Sequence, residues 1–209
     1  MIVWRNGPDG AEVLMGRRSR RAAFVPNFFV FPGGRIDASD HAVRTASTLH
    51  PATVKRMGVR RDASLAEALA IAAVRETFEE TGLLLAESGD VGEVAHPAWA
   101  HWKARHLVPG LHRLHYFGRA ITSPISPIRF HARFFIARAE ALQGEIAGSG
   151  ELAELGYYPV TEVLAHMPIV DVTEFMLNRA TAYAAAPDRF NPMTPVFSYK
   201  GEVPFVNYE

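Results

Sequence analysis

The chain of 209 residues has no cysteine, which excludes disulfides, thiolate metal sites and cysteine nucleophiles together. Net charge is also missing. Lys+Arg and Asp+Glu both number 22, so no global field draws the protein to nucleic acid or to an anionic membrane. No apolar run approaches the roughly 20 residues of a membrane span. The opening "MIVWRNGPDG" lacks the apolar stretch of a secretory signal, and the closing "FVNYE" matches no peroxisomal or retention address. Repeats, low-complexity runs and dividing linkers are absent from the sequence as well. The expectation is one cytoplasmic domain over residues 1–209, with hydrophobic residues at 48% supplying a sizeable core.

What is present alternates between strand and helix patterns. "MIVWR", "NGPDG" and "AEVLMGRR" read as strand, turn and strand. "FFVF" is a short buried strand that stops at "PGG". Residues 38–63 are mixed and polar, with a short helix near Pro51–Met57. "SLAEALAIAAVRETFEET" is a long helix with Leu65, Leu69, Ala72 and Ala73 on one face. Ser64 and Glu67 form a capping-box signature, so the helix is expected to begin at Ser64. "HPAWAHWKARHLVPG" is an amphipathic fragment between loops. "LHYFGRAI" and "RFHARFFIARA" read as strands across a Pro/Ser-rich turn, and "VTEVLA" and "IVDVTEFMLNRATAYAAA" as helices. The alternation argues for an α/β or α+β fold.

The stretch "RETFEETG" (75–82) breaks local rules. Glu76, Glu79 and Glu80 share one helix face, where each like-charge pair opposes the helix by roughly 0.2–0.5 kcal/mol. Gly82 reads as the residue just past the helix end, so the acids also oppose the macrodipole. A solvated acidic face is the plainer reading, and three features weigh against it. The acids repel one another at the wrong helix end; Arg75 lies four residues before Glu79, placed to orient it; and "FPGG" ends a strand with two glycines that allow close backbone approach. Rules broken together mark functional sites. A divalent cation turns the repulsion into shared coordination, and oxygen ligands without cysteine or paired histidines point to Mg²⁺ or Mn²⁺. His101, His106 and His131 fit no metal spacing and read as structural or surface residues.

"RETFEETGL" resembles the second half of the Nudix box, G-x5-E-x7-R-E-U-x-E-E-x-G-U, where U is bulky and apolar. "FPGG" resembles its opening, and Glu67 stands the required distance before Arg75. Thr77 occupies the first U position. Between Gly34 and Glu67 lie 32 residues (35–66) where the box has five, leaving 27 inserted. An insertion inside the box characterises the branch of peroxisomal acyl-coenzyme A diphosphatases and their bacterial relatives. "RRSRRAAFVPNFFVFPGGRIDASD", "IAAVRETFEETGLLL", "ITSP", "RFHARFFIA" and "LAELGYYPV" are similar to that branch as well.

The resemblance implies a Nudix fold, a mixed β-sheet sandwiched between helices. The insertion, about residues 38–63, is expected to be a surface excursion flanking the substrate cleft, with Gly34 beside Glu79. It implies divalent ions held by Glu76, Glu79, Glu80 and the Gly34 carbonyl, with Arg75 holding Glu79. Glu67 corresponds to the first box glutamate near the metals; its alternative role is capping partner to Ser64. Glu151 and Glu154 are the candidates for a general base outside the box, the alternative for either being an ordinary surface glutamate. Arg17, Arg18, Arg20 and Arg21 form a basic cluster suited to phosphate. Against the coenzyme A pattern L-L-T-x-R-S/A-x3-R-x3-G-x3-F-P-G-G, Arg18 and Ser19 are in register, while Gly16, Ala23 and Asn27 replace Thr, Arg and Gly. The reaction implied is Mg²⁺- or Mn²⁺-dependent hydrolysis of a nucleoside diphosphate linked to another moiety, coenzyme A or an acyl-coenzyme A being favoured. ADP-ribose or a dinucleotide is the alternative substrate, and a non-catalytic nucleotide-binding module the alternative class. A pure binder has no need of three repelling acids. The expected partner is a small-molecule nucleotide, without nucleic acid or membrane, and a homodimer is allowed.

Overall fold

The hairpin at the start sets the register of the sheet. In strand β1 (Ile2–Gly7), Ile2 and Trp4 point into one core and Val3 into another, so the strand is buried on both faces. It pairs antiparallel with β2 (Gly10–Arg18), from Trp4 opposite Val13 to Gly7 opposite Gly10. The computed structural model describes residues 1–22, 24–60, 62–126, 128–187 and 193–209. Along β2 run β8 (Leu152–Pro159) and, at its far end, the short β3 (Phe29–Val30). On the other side β1 pairs parallel with β7 (His131–Arg138), and β7 antiparallel with β6 (His115–Ile121). A hairpin of β9 (Pro195–Lys200) and β10 (Val203–Tyr208), not anticipated from the sequence, extends the sheet beyond β6.

Helices cover both faces. On one lie α1 (Pro51–Arg56), α2 (Ala63–Thr81) and α3 (Ala98–Ala104), with a small hairpin of β4 (Ala86–Ser88) and β5 (Leu107–Pro109). Their buried residues, among them Val54, Ala70, Val74, Trp99 and Trp102, join Val3, Leu14, Tyr116 and Phe135 of the sheet. On the other face, α4 (Val160–His166) and α5 (Asp171–Ala185) bury Val163, Met176 and Leu177 against Ile2, Trp4 and Met15. This is the mixed sheet between helices that the sequence led us to expect. Among the described residues no helix is long and apolar enough to cross a membrane.

The long helix begins earlier than its capping signature suggested. Asp62 is the N-cap, its side chain accepting from the Leu65 amide at 3.0 Å, so Ser64 and Glu67 do not form the cap. Asp, like Ser, is a strong N-cap residue, and the one that comes first ends the preceding loop. At the other end Gly82 adopts φ 77° and donates to the Phe78 carbonyl, which stops the helix at Thr81. Thr77 fits its apolar position because its hydroxyl bonds back to the Ala73 carbonyl at 2.7 Å.

Candidate active site

The three glutamates project from the last turns of α2, and one arginine organises them. Arg75 is 3% exposed and all the sides of its guanidinium are used. Nη1 donates to Glu76 Oε1 at 2.9 Å and to Glu79 Oε2 at 2.6 Å. Nη2 donates to the Arg35 carbonyl at 2.7 Å and to Asp40 Oδ2 at 3.1 Å, and Nε donates to Asp40 Oδ1 at 2.9 Å. Asp40 is wholly buried, so Arg75 and Asp40 form a bidentate pair out of solvent. Asp40 also accepts from the Asp37 amide at 2.8 Å, within a short 3₁₀ turn capped by Asp37. The loop that follows Gly34 therefore delivers the anion that holds Arg75.

Asp40 is the residue that sequence reasoning missed. Five residues, 35–39, separate Gly34 from Asp40, the first spacing of the box, with Asp in place of Glu. On that register the insertion falls between Asp40 and Arg75, and Glu67 is part of it. Glu67 stands nine helical positions before Glu76, a rise of about 13.5 Å and a turn of about 180° to the opposite face. The structure thus does not bring Glu67 to the acidic turn.

Glu80 is 5% exposed, and its Oε2 accepts from the Gly33 amide at 2.7 Å. Burial pushes its carboxyl up to about 7; the Gly33 bond opposes this, and the charges of Glu76 and Glu151 add to it. Burial also raises Glu76; Arg75 opposes this shift, and Glu79 and Glu151 reinforce it. Gly34 packs against Glu76, in the same acidic turn as Glu79: a Cβ there would clash with the Glu76 carboxyl group. Only glycine permits that approach. Among the described residues no three His, Asp or Glu side chains converge as a closed ligand set, because Arg75 and the Gly33 amide hold the carboxylates. The donors are nonetheless hard oxygens crowded against their own repulsion, with a glycine backbone laid on them. That chemistry fits Mg²⁺ or Mn²⁺.

Around this turn the other candidates separate. Glu151 lies close enough to raise both Glu76 and Glu80. Glu154, in a left-handed conformation at φ 51°, is instead paired with Arg17, whose Nε donates to Oε1 at 3.0 Å. Arg18 is half-buried on β2 opposite Leu152, and Arg20 and Arg21 are exposed. Asn27 takes φ 65°, a conformation that Gly and Asn adopt readily; Ala23 lies outside the described residues. His101 packs on Phe78 with centroids 4.7 Å apart, and His106 occupies a turn at φ 52°. His96, not singled out in the sequence, places Nδ1 3.9 Å from Glu79 Oε1. A groove of about 570 Å³ opens there, lined by Asp37, Ser39, Ala42, Glu93 and His96.

A NUDIX hydrolase from Alicyclobacillus acidocaldarius superposes with a TM-score of 0.65 at 28% identity, over 87% of this chain and 88% of that one. The chain has the fold of the Nudix hydrolases and resembles them in sequence. A MutT protein from Bacillus halodurans, at 14% identity and a TM-score of 0.50 over 99% of this chain and 98% of its own, shares the fold. Acyl-coenzyme A diphosphatase NUDT19 of Xenopus laevis is 34% identical over 102 residues, 39% of this chain and 27% of its own. The Gallus gallus protein of that name is 35% identical over 114 residues, 44% of this chain and 30% of its own. A putative nudix hydrolase of Caenorhabditis elegans is 37% identical over 78 residues, 37% of this chain and 19% of its own. The matched part spans less than a third of each of these three relatives. No family model matches the chain.

Proposed function

We propose that this protein hydrolyses the diphosphate bond of a nucleoside diphosphate linked to another moiety, with coenzyme A or an acyl-coenzyme A as the favoured substrate. The observation that carries the reading is the acidic turn clamped by Arg75 and Asp40 against the Gly33–Gly34 backbone. Glu76, Glu79, Glu80 and the Gly34 carbonyl would hold Mg²⁺ or Mn²⁺. When bound, the ion neutralises diphosphate oxygens and acidifies water. Positioning and charge stabilisation carry most of such a transfer.

Arg75 is a positioning residue, since its contacts are with Glu76, Glu79 and Asp40. Glu151 is the better-placed general base, exposed and close to the acids, whereas Glu154 is occupied by Arg17. Arg18, Arg20 and Arg21 receive substrate phosphate, and the groove beside Glu79 offers room for the moiety beyond the diphosphate. The two acyl-coenzyme A diphosphatases among the relatives support the substrate choice. A second reading, ADP-ribose or a dinucleotide, is favoured by the Arg17–Glu154 pair, which withdraws one of the four arginines from phosphate binding.

A substrate panel with product identification decides between them. Coenzyme A carries a 3′-phosphate, and charged hydrogen bonds are worth about 1.5–3 kcal/mol. Coenzyme A is therefore cleaved faster than its 3′-dephosphorylated form, and Arg18→Ala narrows the gap. Equal cleavage of both forms, or much faster cleavage of ADP-ribose, removes the coenzyme A assignment and leaves the diphosphohydrolase.

A further inference from the structure

A second group of like charges stands on the sheet away from the acidic turn. Arg119 on β6 lies directly opposite Arg133 on β7, an arrangement that opposes strand pairing. A β-bulge creates it. Tyr116 pairs with Phe135 and Arg119 with Arg133, with a register shift between Tyr116 and Gly118. Without the extra residue, Tyr116 and Arg119 would point to opposite faces. With it, Tyr116, Arg119, Phe135, Arg133 and His131 share one face, the face on which Tyr116 and Phe135 join the core beneath α2.

The inserted segment closes over this group. The Met57 carbonyl accepts from Arg133 Nε at 3.4 Å. Gly58, at φ +64°, comes so near that a Cβ would stand 2.7 Å from Arg119 Nη1. Gly58 lies five residues before α2 begins, so the acidic turn is at the other end of a helix about 28 Å long. His131 Nε2 lies 3.2 Å from Arg119 Nη1. Among the described residues Glu209 is the carboxylate that pairs with Arg119, and Arg133 has no carboxylate partner. Arg119 Nε and the Tyr116 hydroxyl are enclosed without a hydrogen-bond partner, and Tyr116 is only 7% exposed. Arg56 acts electrostatically on the same hydroxyl. Enclosed donors without acceptors are rare in folded proteins, and here they accompany two facing cations.

We propose that Arg119, Arg133 and Tyr116 form a binding site for a phosphate group, separate from the acidic turn. Phosphate offers at least three acceptor oxygens and the negative charge that Arg133 lacks beside the Glu209-paired Arg119, and both guanidiniums match it through their planar forks. Because Arg119 and Arg133 also touch Gly58 and Met57, a bound phosphate braces the returning end of the insertion against the sheet. The source is free inorganic phosphate or the terminal phosphate of a nucleotide.

The test follows thermal unfolding in EDTA at constant ionic strength, with inorganic phosphate or 3′,5′-ADP replacing chloride. Without divalent ions the carboxylates of the acidic turn repel both probes. The wild type is expected to show a saturable rise in Tm that persists in Arg18→Ala. Arg133→Gln weakens the apparent affinity at least about tenfold, the scale of one lost charged hydrogen bond. Tighter binding of 3′,5′-ADP than of phosphate, lost in Arg133→Gln, identifies a nucleotide as the occupant; equal binding identifies the free ion. No saturable shift in the wild type, or a shift that Arg133→Gln leaves unchanged, overturns the proposal. Should Arg133→Gln not fold, wild-type crystals soaked in tungstate give the answer. Density between Arg119 and Arg133 supports the site, and none there refutes it.

Discussion

Replacing Asp40 by Asn tests the link between the loop that follows Gly34 and the acidic turn. The change keeps the shape and removes the charge that faces Arg75 Nε and Nη2 at 2.9 and 3.1 Å. One amide group must then turn its own donors toward the guanidinium or toward the Asp37 amide, and both are donors. Breaking a buried ion pair from one side costs about 3–5 kcal/mol. Arg75 retains Glu76, Glu79 and the Arg35 carbonyl, so the lower end, about 3 kcal/mol, is expected. For a chain of this size that lowers Tm by roughly 6–12 °C, readable by calorimetry in EDTA. Arg75, released on one side, draws closer to Glu79, so the Mg²⁺ concentration for half-maximal hydrolysis rises as well. A Tm within 2 °C of the wild type, about the effect of a change worth under 1 kcal/mol, would show that the pair does not organise the turn.

Other perturbations separate the roles assigned above. Asp62→Ala should destabilise by about 0.5–2 kcal/mol through loss of the helix cap, while Ser64→Ala stays within about 0.5 kcal/mol; denaturant titration of both distinguishes the two start sites. Glu67→Gln should change kcat by less than about twofold, because Glu67 lies some 13.5 Å along the helix from the acids; a hundredfold loss in steady-state assays contradicts that placement. His131 is held down to about 4 by burial, with Arg133 and Arg119 adding, against an ordinary value of 6.5. The unfolded chain thus takes up the proton first, and stability present above about 6.5 is lost as pH falls toward about 4. His131→Gln should flatten that part of the pH–stability curve.

The acidic turn was legible because it breaks helix rules locally, and repulsion at i, i+3 and i+4 needs no tertiary knowledge. The opening hairpin and α2 were legible for the same reason, through period-2 and period-3.6 burial. Asp40 was not, because the insertion lets the box be read in two registers. Gly34 to Asp40 satisfies the first spacing and Glu67 to Arg75 the second, and only Glu67 carries the residue type that the box names. Helix geometry decides the matter, since a residue nine positions earlier on the same helix points away. The Arg17–Glu154 pair depends on the β2–β8 register, with a bulge between Met15 and Arg17, and no local pattern announces it. The opposed arginines of β6 and β7 were hidden similarly: their shared face exists only because of the bulge at Tyr116 and Gly118. The strand β10 was missed because Pro204 and its mostly exposed residues disguise an edge strand.

The most direct measurement is hydrolysis of coenzyme A with saturating Mg²⁺, its products identified by mass spectrometry, for the wild type and for Glu79→Gln. Glu79 is one-third exposed, and its partners among the described residues are Arg75 of the acidic turn and His96 of the loop before α3, so the variant should retain the wild-type circular dichroism spectrum. The account predicts 3′,5′-ADP and a phosphopantetheine from the wild type and almost none from the variant. Comparable turnover by the variant, or no cleavage of coenzyme A, ADP-ribose or any dinucleotide by the wild type, would contradict it.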